Sequence, residues 1–338
     1  MQISNQNDIF AKNLISLFME KKKGTEIASL GEFGLIDRLT SRLKRRNPST
    51  LLSAGDDAAV IDLGEEVMLL TTDMMTEGID FDLSYFPLKH LGYKAIVRGV
   101  NDILAMNAKP QQVVVALGVS AKISVEALDE LYEGMEHAAK ELGVDIVGGD
   151  TTASRDKIAI NVVAIGRAPK QNIKRRSAAK VGDVVCVTGK LGTSSKGLVD
   201  IMFGDLNTAA AKAHRRGQAR TAEGVWLGTR PEVHAMMDIS DGIASDIKHI
   251  MELSGVGARI EMELIPTDYD IRYATTGGED YELLLTVDSN KYNEVAEALH
   301  KATGTTLTKI GEITAGSDVE WLDCGKPTDI EMQGFTHF

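Results

Sequence analysis

The sequence predicts an α/β protein, mixed α/β and α+β in build and divided into two domains, on two observations. Apolar runs of strand length that end abruptly in Gly, Asp or Thr alternate with helical patterns. A stretch of turn formers then breaks the alternation at 166–176, where Pro169, Gln171 and Asn172 precede Val181-Gly182-Asp183. At 338 residues the chain is long enough to build a core on each side of that break.

In chain order, strands are expected at 67–70, 112–119, 144–147, 158–165, 183–187 and 281–287. Helices are expected at 88–106, 125–142, 195–203, 242–253 and 291–303. The first strand runs into Thr71-Thr72-Asp73, the third into Gly148-Gly149-Asp150 and the fifth into Thr188-Gly189. The halves echo each other faintly, each with a Gly-Gly-acid turn (Gly148-Gly149-Asp150, Gly277-Gly278-Glu279), without amounting to a repeat.

Hydrophobic content of 43% and charged content of 25% are those of a soluble globular chain. No secretion signal or membrane-length apolar run is visible; the amphipathic stretch at 9–20 is interrupted by Lys12 and followed by Lys21, Lys22 and Lys23. The two cysteines, Cys186 and Cys324, are too few for a disulfide framework or a zinc site, and a cytoplasmic protein is expected. A net charge of −12 argues against broad nucleic-acid contact.

The acidic residues carry more information. Asp56 and Asp57 follow Ser53-Ala54-Gly55, and Asp73 ends a Leu/Thr run. Asp102 sits in an otherwise apolar helix, Asp150 closes Val147-Gly148-Gly149, and Asp238 and Asp241 bracket Ile239-Ser240. Each alone reads as a cap or turn former: Asp241 precedes a helix and Asp56 a turn. Shared by so many, the placement points to oxygen ligands converging on a hard cation such as Mg²⁺, since an isolated carboxylate at an apolar edge is costly to desolvate. The turn 188–197 leaves a strand and enters a helix, a geometry that aims backbone N–H groups at an anion such as phosphate. No Walker, protein-kinase or dinucleotide fingerprint is present. The seven histidines are scattered, and Cys186 lies in an apparent core strand, so nucleophilic catalysis by His or Cys is not indicated.

Together these pieces resemble thiamine-monophosphate kinases. The motifs are Gly31-Glu32-Phe33-Gly34, Gly55-Asp56-Asp57-Ala58-Ala59-Val60, Thr71-Thr72-Asp73-Met74, and Tyr93-Lys94-Ala95 leading to Asn101-Asp102-Ile103-Leu104-Ala105-Met106. Val147 to Thr152, Asp238-Ile239-Ser240-Asp241-Gly242, Thr276 to Leu283 and Gly334 to Phe338 complete the series in order.

The resemblance implies a two-domain fold like that of aminoimidazole ribonucleotide synthetase, with an extension at 1–30, an ATP- and Mg-binding domain at 31–167 that forms a homodimer, and a C-terminal α/β domain at 168–338. It implies that Asp57, Thr71, Thr72, Asp73, Asp102, Asp150, Asp238 and Asp241 surround several Mg²⁺ ions, with Asp102, Asp150 and Asp241 central to catalysis. Gly149, Asp150, Arg176 and Ser240 would contact ATP, and Asp80, Glu279 and Met332 would lie toward thiamine monophosphate. The implied reaction is in-line transfer of the γ-phosphoryl group of ATP to thiamine monophosphate, the last step of thiamine diphosphate synthesis. The alternative within the superfamily is phosphoribosylformylglycinamidine cyclo-ligase. This chain has Asp80 where the family commonly carries His, Gly99 where it often has Asn, and Met332 where some members have Trp.

Overall fold

Two sheets carry the architecture of the computed structural model, which describes residues 25–328 and 334–337. Arg45–Phe335 make up one compact unit. Among the described residues, 25–44 with Thr336 and His337 make up a second, in which helix α1 (Gly31–Thr40) carries Glu32, whose carboxylate accepts the His337 backbone N–H at 2.9 Å.

The first sheet of the larger unit contains β1 (Thr50–Leu52), β2 (Ala59–Asp62), β3 (Glu66–Thr76), β4 (Lys109–Ser120), β5 (Asp145–Ser154) and β6 (Ala159–Pro169). Their order is β1-β2-β3-β6-β4-β5, antiparallel except for the parallel pair β4–β5. Strict alternation in β3 and β6 sends Val67, Leu69, Ile160, Val162 and Ala164 to one buried face. Packed in the same core are α2 (Leu88–Ala105) and α3 (Val125–Leu142). α3 has the expected bounds because both ends are marked: the Ser124 hydroxyl caps the Ala127 N–H at 3.2 Å, and Gly143 ends the helix at φ 67°. Gly99 is where α2 meets β6, and a Cβ there would sit 2.5 Å from a Val162 methyl. Close approach of helix to sheet accounts for glycine at this position.

The second sheet contains β7 (Val184–Thr188), β8 (Val233–Asp238), β9 (Gly257–Glu261), β10 (Leu283–Val287), β11 (Leu307–Thr314), β12 (Val319–Asp323) and β13 (Lys326–Pro327), in the order β13-β12-β9-β11-β7-β10-β8. Around it run α4 (Thr193–Met202), α5 (Ala209–Arg216), α6 (Thr221–Gly228), α7 (Ile243–Ser254), α8 (Ile271–Thr276) and α9 (Tyr292–Thr303). One core joins α7 to the sheet through Ile243, Ile247 and Ile250; another joins Leu227 of α6, Leu299 of α9 and Ala105 of α2. Burial on both faces is why β7 and β10 are mainly apolar, through Val184–Val187 and Leu283–Leu285.

Two strands run further than the sequence predicts. β3 continues through Thr71-Thr72-Asp73 to Thr76, and β5 continues through Gly148-Gly149-Asp150 to Ser154. Residues that look like turn formers are held in strands by pairing of β3 with β6 along its whole length and of β5 with β4 on either side of a register shift at Val147-Gly148. The sequence pattern does not predict several elements of the second sheet, including β8, β9, β11 and β12. Among the described residues no helix is long and apolar enough to cross a membrane.

Candidate functional site

From Leu91 onward helix α2 is apolar except for one stripe. Lys94, Arg98, Asn101 and Asp102 fall at i, i+4, i+7 and i+8 and so share a face. Lys94 Nζ binds Glu279 Oε2 at 2.8 Å. Arg98 binds Asp73 through Nε at 2.9 Å and Asp80 through Nη1 at 2.8 Å. Asn101 Nδ2 donates to Asp238 Oδ2 at 2.6 Å, and Asp102 Oδ2 accepts from the Thr71 hydroxyl at 2.6 Å. A single helix thereby engages residues of both sheets.

At the centre, Asp57, Asp102 and Asp238 offer carboxylate oxygens that all lie within 4.8 Å of one another. Asp57 comes from the turn before β2, Asp102 from α2 and Asp238 from the end of β8. Burial, then the charges of Asp238, Asp73 and Asp57, hold the Asp102 carboxyl well above the ordinary range. Burial and Asp57 push Asp238 up to about 7 against the opposing pull of Arg176 and Asn101. Asp56 is likewise raised to about 7 by burial and by Asp57. Arg176 Nε lies 3.2 Å from Asp57 Oδ1, and its Nη2 binds the same oxygen.

Among the described residues, Asp57 Oδ2 and Asn101 Oδ1 are buried oxygens here without a hydrogen-bond donor. Both are acceptors, so each has room for a donor or a cation. Three carboxylates whose oxygens converge, with Asp57 Oδ2 uncommitted, fit a hard divalent cation.

The other predicted residues are distributed around this centre. Thr71 is buried and faces Asp102, whereas Thr72, on the opposite face of β3, is exposed and donates to Asn161 Oδ1 at 3.0 Å. Asp73 is bound by Arg98 and stands beside the trio without joining it. Asp80 is anchored by Arg98 and by the Thr76 backbone N–H at 2.8 Å. Asp150 is exposed on β5 and accepts the Thr151 N–H at 2.9 Å, outside the trio. Gly149 is dictated by the sheet, since a Cβ would sit 1.7 Å from the Val115 carbonyl oxygen. Ser240 and Asp241 form the turn after β8; the Ser240 carbonyl accepts the Glu279 N–H at 2.7 Å and that of Asp241 accepts the Phe335 N–H at 3.0 Å. Met332 lies outside the described residues.

Glu279 sits at φ 64° with Tyr281 at φ 52° close behind, a backbone conformation rare for residues other than glycine. Burial pushes the Glu279 carboxyl up, but Lys94 and His214 more than offset it and hold it below its ordinary value. Next to Glu279 is a cavity of about 290 Å³ whose lining includes Lys190, Ser194, Gln218, Arg220 and Glu282. The turn before α4, expected to cradle phosphate, is filled by the protein itself. Asp280 accepts from the Gly192 N–H at 2.6 Å and the Ser194 N–H at 3.1 Å, so those donors are already satisfied. Among residues the sequence did not single out, Arg98 was visible as a charge one turn from Lys94 in an apolar helix. Asp246, Asp280 and His214 gave no such signal.

The chain matches the family models for AIR synthase related proteins, the N-terminal domain over residues 55–168 and the C-terminal domain over 180–322. The two sheets and the acidic centre thus define a two-domain protein of that class. The thiamine-monophosphate kinase of Bacillus subtilis is 32% identical over 328 residues, 91% of this chain and 100% of that one. That of Aquifex aeolicus is 30% identical, over 92% of this chain and 99% of its own length. Among solved structures, AaThiL complexed with AMPPCP and TMP superposes with a TM-score of 0.82 at 30% identity, covering 94% of this chain and all of that one. The chain belongs to the thiamine-monophosphate kinase family.

Proposed function

We propose that this protein transfers the γ-phosphoryl group of ATP to thiamine monophosphate, giving thiamine diphosphate and ADP. The observation that carries the reading is the Asp57–Asp102–Asp238 trio, with Asp57 Oδ2 uncommitted, in a chain matched along nearly its whole length to thiamine-monophosphate kinases. The relative solved with AMPPCP, an unreactive ATP analogue, and TMP supports the same pair of substrates here.

The acceptor is a phosphate monoester whose second ionisation falls near pH 6, so it is already largely an anionic nucleophile at neutral pH. No strong general base is required. The obstacle is repulsion between two polyanions, and Mg²⁺ held by Asp57, Asp102 and Asp238 would supply the neutralising charge. Thr71 holds Asp102 in place by its hydrogen bond. Arg176, whose guanidinium now lies on Asp57, has the fork geometry to clamp a nucleotide phosphate. Gly149, Asp150, Ser240 and Asp241 belong, on this reading, to the nucleotide and metal side, with Thr72 and Asp73 at its margin. Glu279 and the cavity beside it belong to the thiamine side. Asp80 does not confront the acceptor phosphate with bare negative charge, because Arg98 pairs with it.

A homodimer, formed through the N-terminal domain (31–167) ahead of the C-terminal domain (168–338), accords with β5. This strand ends the sheet and is exposed on both faces at every residue but Ile146 and Ser154. A cytoplasmic enzyme, where ATP is available, is the corresponding location.

Chromatography of the products from Mg-ATP and thiamine monophosphate tests the function. Matched thiamine diphosphate and ADP, abolished by EDTA, are expected. Asp102→Asn protein should fold and lose about 100-fold or more in kcat. ADP without thiamine diphosphate refutes the acceptor, and a fully active Asp102→Asn refutes the trio.

A further inference from the structure

We propose that Asn101 is a positioning residue of the cation site: its amide N–H₂ fixes Asp238, and its amide oxygen receives a hydrogen bond from a water on the bound divalent cation. The proposal rests on the reading of the trio as a cation site and extends it to a neutral residue.

Asn101 is wholly buried on α2, immediately before Asp102. Its Nδ2 donates to Asp238 Oδ2 at 2.6 Å. With a cation bound Asp238 is ionised, so it offers only lone pairs and must meet the N–H₂ end, which sets the amide's orientation. The amide oxygen therefore points elsewhere, and among the described residues it has no donor. The nearby donors are committed. The Thr71 hydroxyl lies on Asp102, and the Arg176 guanidinium lies on Asp57.

Buried amide oxygens in native proteins are nearly always satisfied, so this one calls for a donor that the polypeptide does not supply. The neighbouring trio identifies it. Mg²⁺ keeps several of its waters when bound by carboxylates, and each is a strong hydrogen-bond donor. Residues that hold ligands and metal-bound waters are part of such sites. The amide suits the position chemically. Aspartate there could not donate to Asp238 and would add a further negative charge. Leucine has the same bulk but neither function.

The test is Mn²⁺ binding to nucleotide-free protein, followed by the EPR signal of free Mn²⁺, together with thermal unfolding in EDTA. Asn101→Leu is expected to weaken Mn²⁺ binding by about 10- to 100-fold. Its metal-free melting midpoint should stay within about 4 °C of wild type. Asn101→Ser, which retains a hydroxyl but not the reach, should weaken binding as well, and it decides the matter if the leucine variant does not fold. Affinity within about twofold of wild type in the folded variants overturns the proposal. So does a melting midpoint that falls equally with and without Mn²⁺, which would mark the partner of the amide oxygen as an ordinary structural water. Wild-type protein that binds no Mn²⁺ refutes the trio itself as a cation site, an outcome distinct from normal wild-type binding that Asn101→Leu leaves unchanged.

Discussion

Removing either partner of the Lys94–Glu279 pair should destabilise the protein, and Glu279→Gln should cost more than Lys94→Met. The side chain of Lys94 is 0% exposed and that of Glu279 is 24% exposed, with 2.8 Å between the charges. At an effective dielectric of about 20, that separation corresponds to an attraction of about 6 kcal/mol, set against several kcal/mol for desolvating each ion. The net value of the pair is therefore small, while stranding one partner costs about 3–5 kcal/mol. Lys94→Met leaves a carboxylate that still reaches some water, which places it near 3 kcal/mol. Glu279→Gln strands an ammonium with no exposure, nearer 5 kcal/mol.

The double variant should be less destabilised than either single one. Urea unfolding of the four proteins measures the coupling, and a value below about 1 kcal/mol refutes the reasoning. The pH dependence gives a second check. The Glu279 carboxyl is held below its ordinary value of 4.5, so its contribution is complete above that value and lost as pH falls through the lower folded one. In Lys94→Met burial prevails and the carboxyl shifts upward. Stability lost to this substitution should then be greater at pH 8 than at pH 5.

Two further predictions concern the acidic centre. Metal-free protein should gain stability as pH falls from 8.5 to 7. Asp238, at about 7 folded against 3.8 unfolded, and Asp102, raised well above that, retain protons that the unfolded chain releases. The window lies above 6.5, where unfolded histidine begins to charge and His214 and His249, held at about 3 and 4 when folded, act in the opposite direction. Scanning calorimetry in EDTA reads this directly, and a flat profile contradicts it. Arg176→Gln should tighten Mn²⁺ binding to nucleotide-free protein by about tenfold, or 1.4 kcal/mol, by freeing Asp57 Oδ1, while weakening nucleotide binding. Both affinities moving in the same direction would show that the guanidinium does not compete with the cation.

Local physics made much of this protein legible in its sequence. Helix α3 was readable to the residue because Ser124 and Gly143 mark its ends with their own chemistry. β7 was readable as a buried strand because a sheet covered on both faces admits only apolar residues. Asp57, Asp102 and Asp238 stood out as carboxylates at the edges of apolar segments, and charge in such a place requires a reason. That carboxylates should converge was legible; which of them do was not. Asp150 has the same local signature as Asp238 yet lies exposed on an edge strand, because strand order, which no local pattern encodes, decides which carboxylates meet. Tertiary packing also decided that Thr71 and Asp73 lie within a strand, that Asp280 occupies the turn expected to hold phosphate, and that Arg98 neutralises Asp80. The reason is common to all three. Propensity and periodicity act over a few neighbouring residues, whereas desolvation and ion pairing depend on what distant segments bring into contact.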